Sequence, residues 1–176
     1  MQADQFDSFV EDFISERLER AIVIIGSSRI DELLFLILDK YLIAPIEAKN
    51  DELLNGDRPL STFSSRIRAV YRLGIVDRRL YKVLDQVRIV RNLCAHRVEF
   101  DVMKSPVKEH LLEIKKELTS RETYKLSVLR YFNGKSVSPI DELHGLFIAI
   151  FVILEAVLMK VEKTTGVSEA LSISRR

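Results

Sequence analysis

The amino-acid sequence predicts an all-α protein, a compact single-domain bundle of several helices built around two central hydrophobic ones. Three observations carry that expectation. Apolar residues recur at three- and four-residue spacing through most of the chain, the pattern of amphipathic helices. The 176 residues are 47% hydrophobic but include only six Gly and four Pro, too apolar for disorder and too poor in turn formers for an all-β protein. Ser, Thr or Asp stands just ahead of several periodic runs, where a helix needs an N-cap. The length suits one domain, taken as residues 1–165, with 166–176 as a flexible C-terminal tail.

Phe6, Phe9, Val10 and Phe13 alternate with acids and predict a short amphipathic first helix. A second helix spans about Glu16 to Leu42 and is apolar on nearly all sides through its middle, so it belongs at the centre of the bundle. Pro45 stops it, and Asp51 to Leu54 adds one helical turn before Asn55-Gly56. A Ser or Thr in the cluster Ser61 to Ser65 caps a helix running to Leu73, and Gly74 supplies its left-handed C-cap. Asp77 caps the next helix, from Arg78 to about Ala95. Ser105-Pro106 opens another through Leu118. Residues 119–137 suit either a helix through Tyr124, Val128 and Tyr131 or a hairpin turning at Asn133-Gly134, and a helix followed by a turn is preferred. Ser138-Pro139 starts the second central helix, which runs to about Lys163.

A single cysteine, Cys94, excludes an intramolecular disulfide, and its place on an apolar stripe makes it a buried small hydrophobe. His110 and His144 lack metal-ligand spacing, and no Gly-rich phosphate loop occurs, so neither metal nor cofactor is expected. Acids follow Met1 directly instead of the basic start of a signal peptide. The longest apolar run, Leu146 to Met159, is interrupted by Glu155 and is too short to span a bilayer. A cytoplasmic location without membrane association is the resulting expectation. The net charge of +1 conceals a strong asymmetry: residues 1–57 carry 13 acids and 5 bases, whereas residues 58–97 carry 2 acids and 10 bases. The basic block is either neutralised by the acidic N-terminal helices or left as a local anion-binding face.

That block ends on Val87 to His96, where polar residues are written onto an apolar helix. Leu80, Val83, Leu84, Val87, Val90 and Cys94 form the apolar stripe, while Arg88, Asn92, Ala95 and His96 share another arc. Arg91 falls at the stripe's edge, and a guanidinium there requires an anion or carbonyl groups. Asp31, an acid within the second helix, is the expected structural partner of Arg91. Two chemical readings compete with a structural one. Arg91 as phosphate ligand, Asn92 as orienter and His96 as proton-transfer group would suit metal-independent RNA cleavage. The segment Ser61 to Val83, with Arg78, Arg79 and Lys82 opening its second helix, resembles a helix-turn-helix. That second helix continues far beyond a recognition helix, and two antiparallel helices joined at a Gly give the same pattern, so direct DNA binding is disfavoured.

Several blocks resemble the mannitol operon repressor (MtlR/MltR-like) family. They are Glu19-Arg20-Ala21, Ile30-Asp31-Glu32-Leu33-Leu34, the run Pro59 to Ile67, Tyr71-Arg72-Leu73-Gly74, and the run Val87 to His96, in the family's order across roughly residues 17–118. The resemblance implies an all-α, non-enzymatic regulator of transcription that acts through a protein partner. The ligand- or partner-binding residues are then Arg66, Arg88, Arg91, Asn92 and His96. The chain departs from the family in Leu18-Glu19 ahead of Arg20 and through 119–137. Arg91-Asn92 and His96 also match the signature of HEPN domains, helical bundles that are often dimeric and often ribonucleases. That second resemblance implies RNA as substrate, Arg91, Asn92 and His96 as active residues, and a homodimer.

Overall fold

A computed structural model describes residues 3–46, 51, 53–134 and 138–164, which are folded as seven α-helices without a strand among them. The helices are α1 (Ala3–Ser15), α2 (Glu19–Tyr41), α3 (Phe63–Arg72), α4 (Arg78–His96), α5 (Val107–Leu118), α6 (Glu122–Phe132) and α7 (Pro139–Lys160). α2 and α7 are the two central members: α2 packs on α1, α3, α4 and α7, and α7 also meets α5 and α6. The tail 166–176 lies outside the described residues.

Local chemistry sets most of the boundaries. Thr62 and Ser65 cap α3 reciprocally, Asp77 accepts from the Leu80 amide at 2.7 Å, and Ser138 forms a capping box with Asp141 ahead of Pro139. Within the ambiguous segment Glu122–Phe132 is a helix, and it ends in Asn133 at φ +50° followed by Gly134 at φ +78°, while 135–137 lie outside the described residues.

Three boundaries differ from expectation. α2 starts at Glu19, not Glu16, because the Glu16 carboxylate accepts the amides of Arg17 and Leu18, both at 2.8 Å, and turns the chain between two helices. Those amide bonds also hold the Glu16 carboxyl below its ordinary pKa. Asp51 likewise accepts from Leu53 and Leu54, giving a side-chain-closed turn where one helical turn was expected. α7 stops at Lys160 instead of Lys163. Its 22 residues are nonetheless long and apolar enough to cross a bilayer, so counting only Leu146 to Met159 underestimated it. Leu143 through Phe151 are all buried inside the bundle.

Burial follows from close approach of the two central helices. Gly26 of α2 faces Phe147 of α7 so closely that a Cβ would sit 2.5 Å from the ring. Glu155, the charge within the apolar run of α7, meets Arg29 of α2 at 2.7 Å, and Arg29 also bonds Glu32 and lies over the Phe9 ring. His144 has no such compensation. It is fully buried against Phe13, with ring centroids 5.0 Å apart, and neither nitrogen finds a partner in hydrogen-bonding geometry among the described residues. Burial, helped by the charge of Arg17, pushes its pKa down to about 4, against smaller opposing effects of Asp141, the Phe13 backbone and Glu16.

Candidate functional site

The basic block folds as a hairpin of α3 and α4. Gly74, at φ +72°, and the bonds Gly74 N to Tyr71 O and Ile75 N to Val70 O close the turn. The register can be read at both ends. The Arg91 guanidinium lies 5.5 Å from the Phe63 ring centroid near one end, and Tyr71 stacks on Tyr81 at 4.6 Å near the other. Contact at both ends of α3 makes this an antiparallel αα-hairpin, the alternative to a helix-turn-helix that the sequence pattern left open.

The inner side of the hairpin consumes arginines. Arg66 donates to Asp31 at 2.8 Å, to Leu60 O at 3.0 Å and to Leu54 O at 3.2 Å, and its guanidinium lies over Phe35. Asp31 therefore pairs with Arg66, not with Arg91. α3 packs directly on α2, and its own arginine reaches the carboxylate. The same bonds commit Arg66 to the interior, so its assignment to an exposed binding face is also corrected. It pins the 51–61 loop to α2 and α3. Arg91, half-buried, is held by the face of Phe63, an ordinary cation–π placement.

Arg20, at the start of α2, was not assigned a role from sequence. Its guanidinium donates to Cys94 O, to Arg97 O at 2.9 Å and to Val98 O at 3.1 Å, and sits 5.5 Å from the Phe100 ring centroid. It thus satisfies carbonyls that the C-terminus of α4 leaves open, and a positive charge there also suits the helix dipole. Cys94 is fully buried beneath this cap, and burial raises its thiol pKa.

The outer side keeps its charge in water. Arg68 and Arg72 of α3 and Arg78, Arg79 and Lys82 of α4 are exposed, with no carboxylate partner among the described residues. Arg88 is half-buried and bonded to Asp85 at 2.7 Å, while Asn92, Ala95 and His96 are exposed along the same arc. Arg88, Asn92 and His96 thus lie along one arc of α4, whereas Arg66 stands on α3 and is bonded inward. Side chains five residues apart leave a helix about 140° apart, so Arg91 and His96 diverge. Arg68 and Arg72 were overlooked as members of this face. Their four-residue spacing on a helix whose apolar positions are Phe63, Ile67 and Val70 was the available signal.

No family model matches the chain, and no curated protein does. Two solved structures share its fold. One is the crystal structure of YggD from Shigella flexneri, described as a possible transcriptional regulator, with TM-score 0.61 and 14% identity over 92% of this chain and 99% of that one. The other is the X-ray structure of the MtlR–HPr complex from Escherichia coli, with TM-score 0.59 and 16% identity over 87% of this chain and 98% of that one.

Proposed function

We propose that the chain is a transcriptional regulator of the mannitol operon repressor kind that acts through a protein partner, not by reading DNA. One observation carries this reading. The α3–α4 hairpin spends Arg66 and Arg91 on the fold but leaves Arg68, Arg72, Arg78 and Arg79 exposed on its two packed helices, while the exposed Lys82 lies beside Glu113 and Glu117 of α5. Such a face favours encounter with an acidic protein surface. α4 runs for 19 residues with its apolar stripe buried in the bundle, far beyond the short recognition helix that a groove-reading motif uses. The names of the two structural neighbours, a regulator and a regulator bound to a protein, support the same kind of role. On this reading the protein works in the cytoplasm, needs no cofactor, and HPr is the first partner to test.

The test is a calorimetric titration of the purified chain with HPr from the same source. Saturable binding that falls at least about tenfold in Arg68→Glu/Arg72→Glu, with folding unchanged, supports the proposal. A salt-steep, sequence-dependent DNA shift requiring Arg78 and Arg79 overturns it in favour of direct DNA binding. Metal-independent RNA cleavage abolished by His96→Ala overturns it in favour of the HEPN-type ribonuclease, with Arg91 and His96 meeting across two copies.

A further inference from the structure

Against the turn between α3 and α4, the molecule carries an open trough of about 560 Å³. Its floor is one stripe of α7, formed by Val152, Ile153, Ala156, Val157 and Lys160 and continued by Val161 at the helix's C-cap. This i, i+1, i+4, i+5, i+8, i+9 pattern runs about 13 Å along the helix. Leu73 and Ile75 of the α3–α4 turn make one wall, and Leu73 is 40% exposed although large and apolar. The start of α6 supplies Arg121 and Thr123, and the end of α2 supplies Tyr41.

The volume lies within the range of small-molecule sites, and the lining is mostly aliphatic with a few polar groups at its margins. Those margins are cationic. Arg121 is shared loosely with Asp77 at 3.7 Å, whereas Lys160 is exposed and has no carboxylate partner among the described residues. Among the described residues, no acid lines the trough. A mostly apolar floor about two and a half helical turns long, with an ammonium towards one end, is complementary to a molecule with an aliphatic chain and one anionic head.

We propose that this trough binds an amphiphilic monocarboxylate of the medium-chain fatty-acid class. The chain lies along the Val152–Val157 stripe and the carboxylate meets Lys160. This site shares no side chain with the outer hairpin face, so it stands or falls independently of the regulator reading.

Decanoate, whose extended chain matches the stripe, is the probe, added to the full-length chain below its micelle concentration and followed by calorimetry and amide chemical shifts. Saturable one-to-one binding with shifts at Leu73, Ile75 and Val152–Val161 is expected. Ala156→Trp, which fills the trough from an exposed helix position, should weaken binding at least about tenfold, and Lys160→Glu by about tenfold. Ala156→Gln, a better-tolerated change at the same position, should weaken it less, and circular dichroism checks that each variant is folded. Decyltrimethylammonium should bind much more weakly than decanoate. The proposal is overturned by absence of saturable binding, by binding that Ala156→Trp leaves intact, or by equal affinity for the cationic amphiphile. It is also overturned if decanoate binds only after residues 165–176 are deleted, for the trough is then covered by the chain's own tail.

Discussion

The two sides of the α3–α4 hairpin hold arginines of the same sequence block in opposite circumstances. On the inner side, Arg66 has a carboxylate, two backbone carbonyls and an aromatic face. On the outer side, Arg68, two residues later, has water. The inner arginine trades its hydration for fixed partners, and removing it strands Asp31 and two carbonyls. The outer one loses almost nothing when replaced, because its charge is already solvated. A cluster of positive charge in a sequence is thus two populations, one belonging to stability and the other to recognition, and helix phase divides them.

The largest expected effect tests the inner side. Arg66→Ala should cost about 3–4 kcal/mol in urea unfolding, by breaking a part-buried ion pair and freeing the 51–61 loop. A loss below about 1 kcal/mol would place Arg66 with the outer population after all.

Next comes the buried group that lacks partners. With its pKa lowered from 6.5 to about 4, His144 is neutral in the folded protein while the unfolded chain takes up a proton below pH 6.5. Its contribution to stability is complete above that pH and falls away as pH drops towards 4, by about 3 kcal/mol over the window. His144→Leu should flatten that part of the pH–stability curve, measured by thermal unfolding from pH 7 to pH 4. An unchanged slope would show that His144 is not the group responsible.

A smaller effect is expected at Arg20. Arg20→Ala should cost about 1–2 kcal/mol and speed amide exchange around Arg97 to Phe100 before the rest of α4 is affected. Exchange that rises uniformly along α4 would mean that Arg20 supports the whole helix, not its end.

The smallest effect belongs to the outer side. Arg68→Ala and Arg72→Ala should each change stability by no more than about 0.5 kcal/mol. A larger loss in either would show that the outer face has a structural share that the geometry does not reveal.

How much of this could be read beforehand depends on range. Caps at Thr62, Asp77 and Ser138 and the left-handed Gly74 are local, and composition places them. The all-α class follows from periodicity, composition and caps, and the two central helices from being apolar on nearly all sides. The partner of Asp31 was not legible, because Arg66 and Arg91 both lie on inner arcs of the same hairpin. Both α3 and α4 pack on α2, and only their placement in three dimensions decides which arginine arrives. The break at Glu16–Leu18 was missed because no Gly or Pro marks it, a carboxylate folding back on its neighbours' amides instead. Of the candidate face, Arg88, Asn92 and His96 were found from helical phase. Arg68 and Arg72 belong to no motif, and only the phase of α3 against its apolar positions Phe63, Ile67 and Val70 marks them as outward-facing.

The contact of α2 with α7 bears on how the chain is made. About a hundred residues separate Tyr41 from Pro139, so the two halves of the core leave the ribosome far apart in time. At about 5–20 residues per second, α2 waits on the order of 5–20 s for the helix that covers it. During that interval Ile30, Leu33, Leu34 and Ile37 have no final burial site, and Gly26 awaits the ring of Phe147. The protein is therefore most exposed to aggregation during its own synthesis, and the apolar richness of α7 closes that vulnerability late.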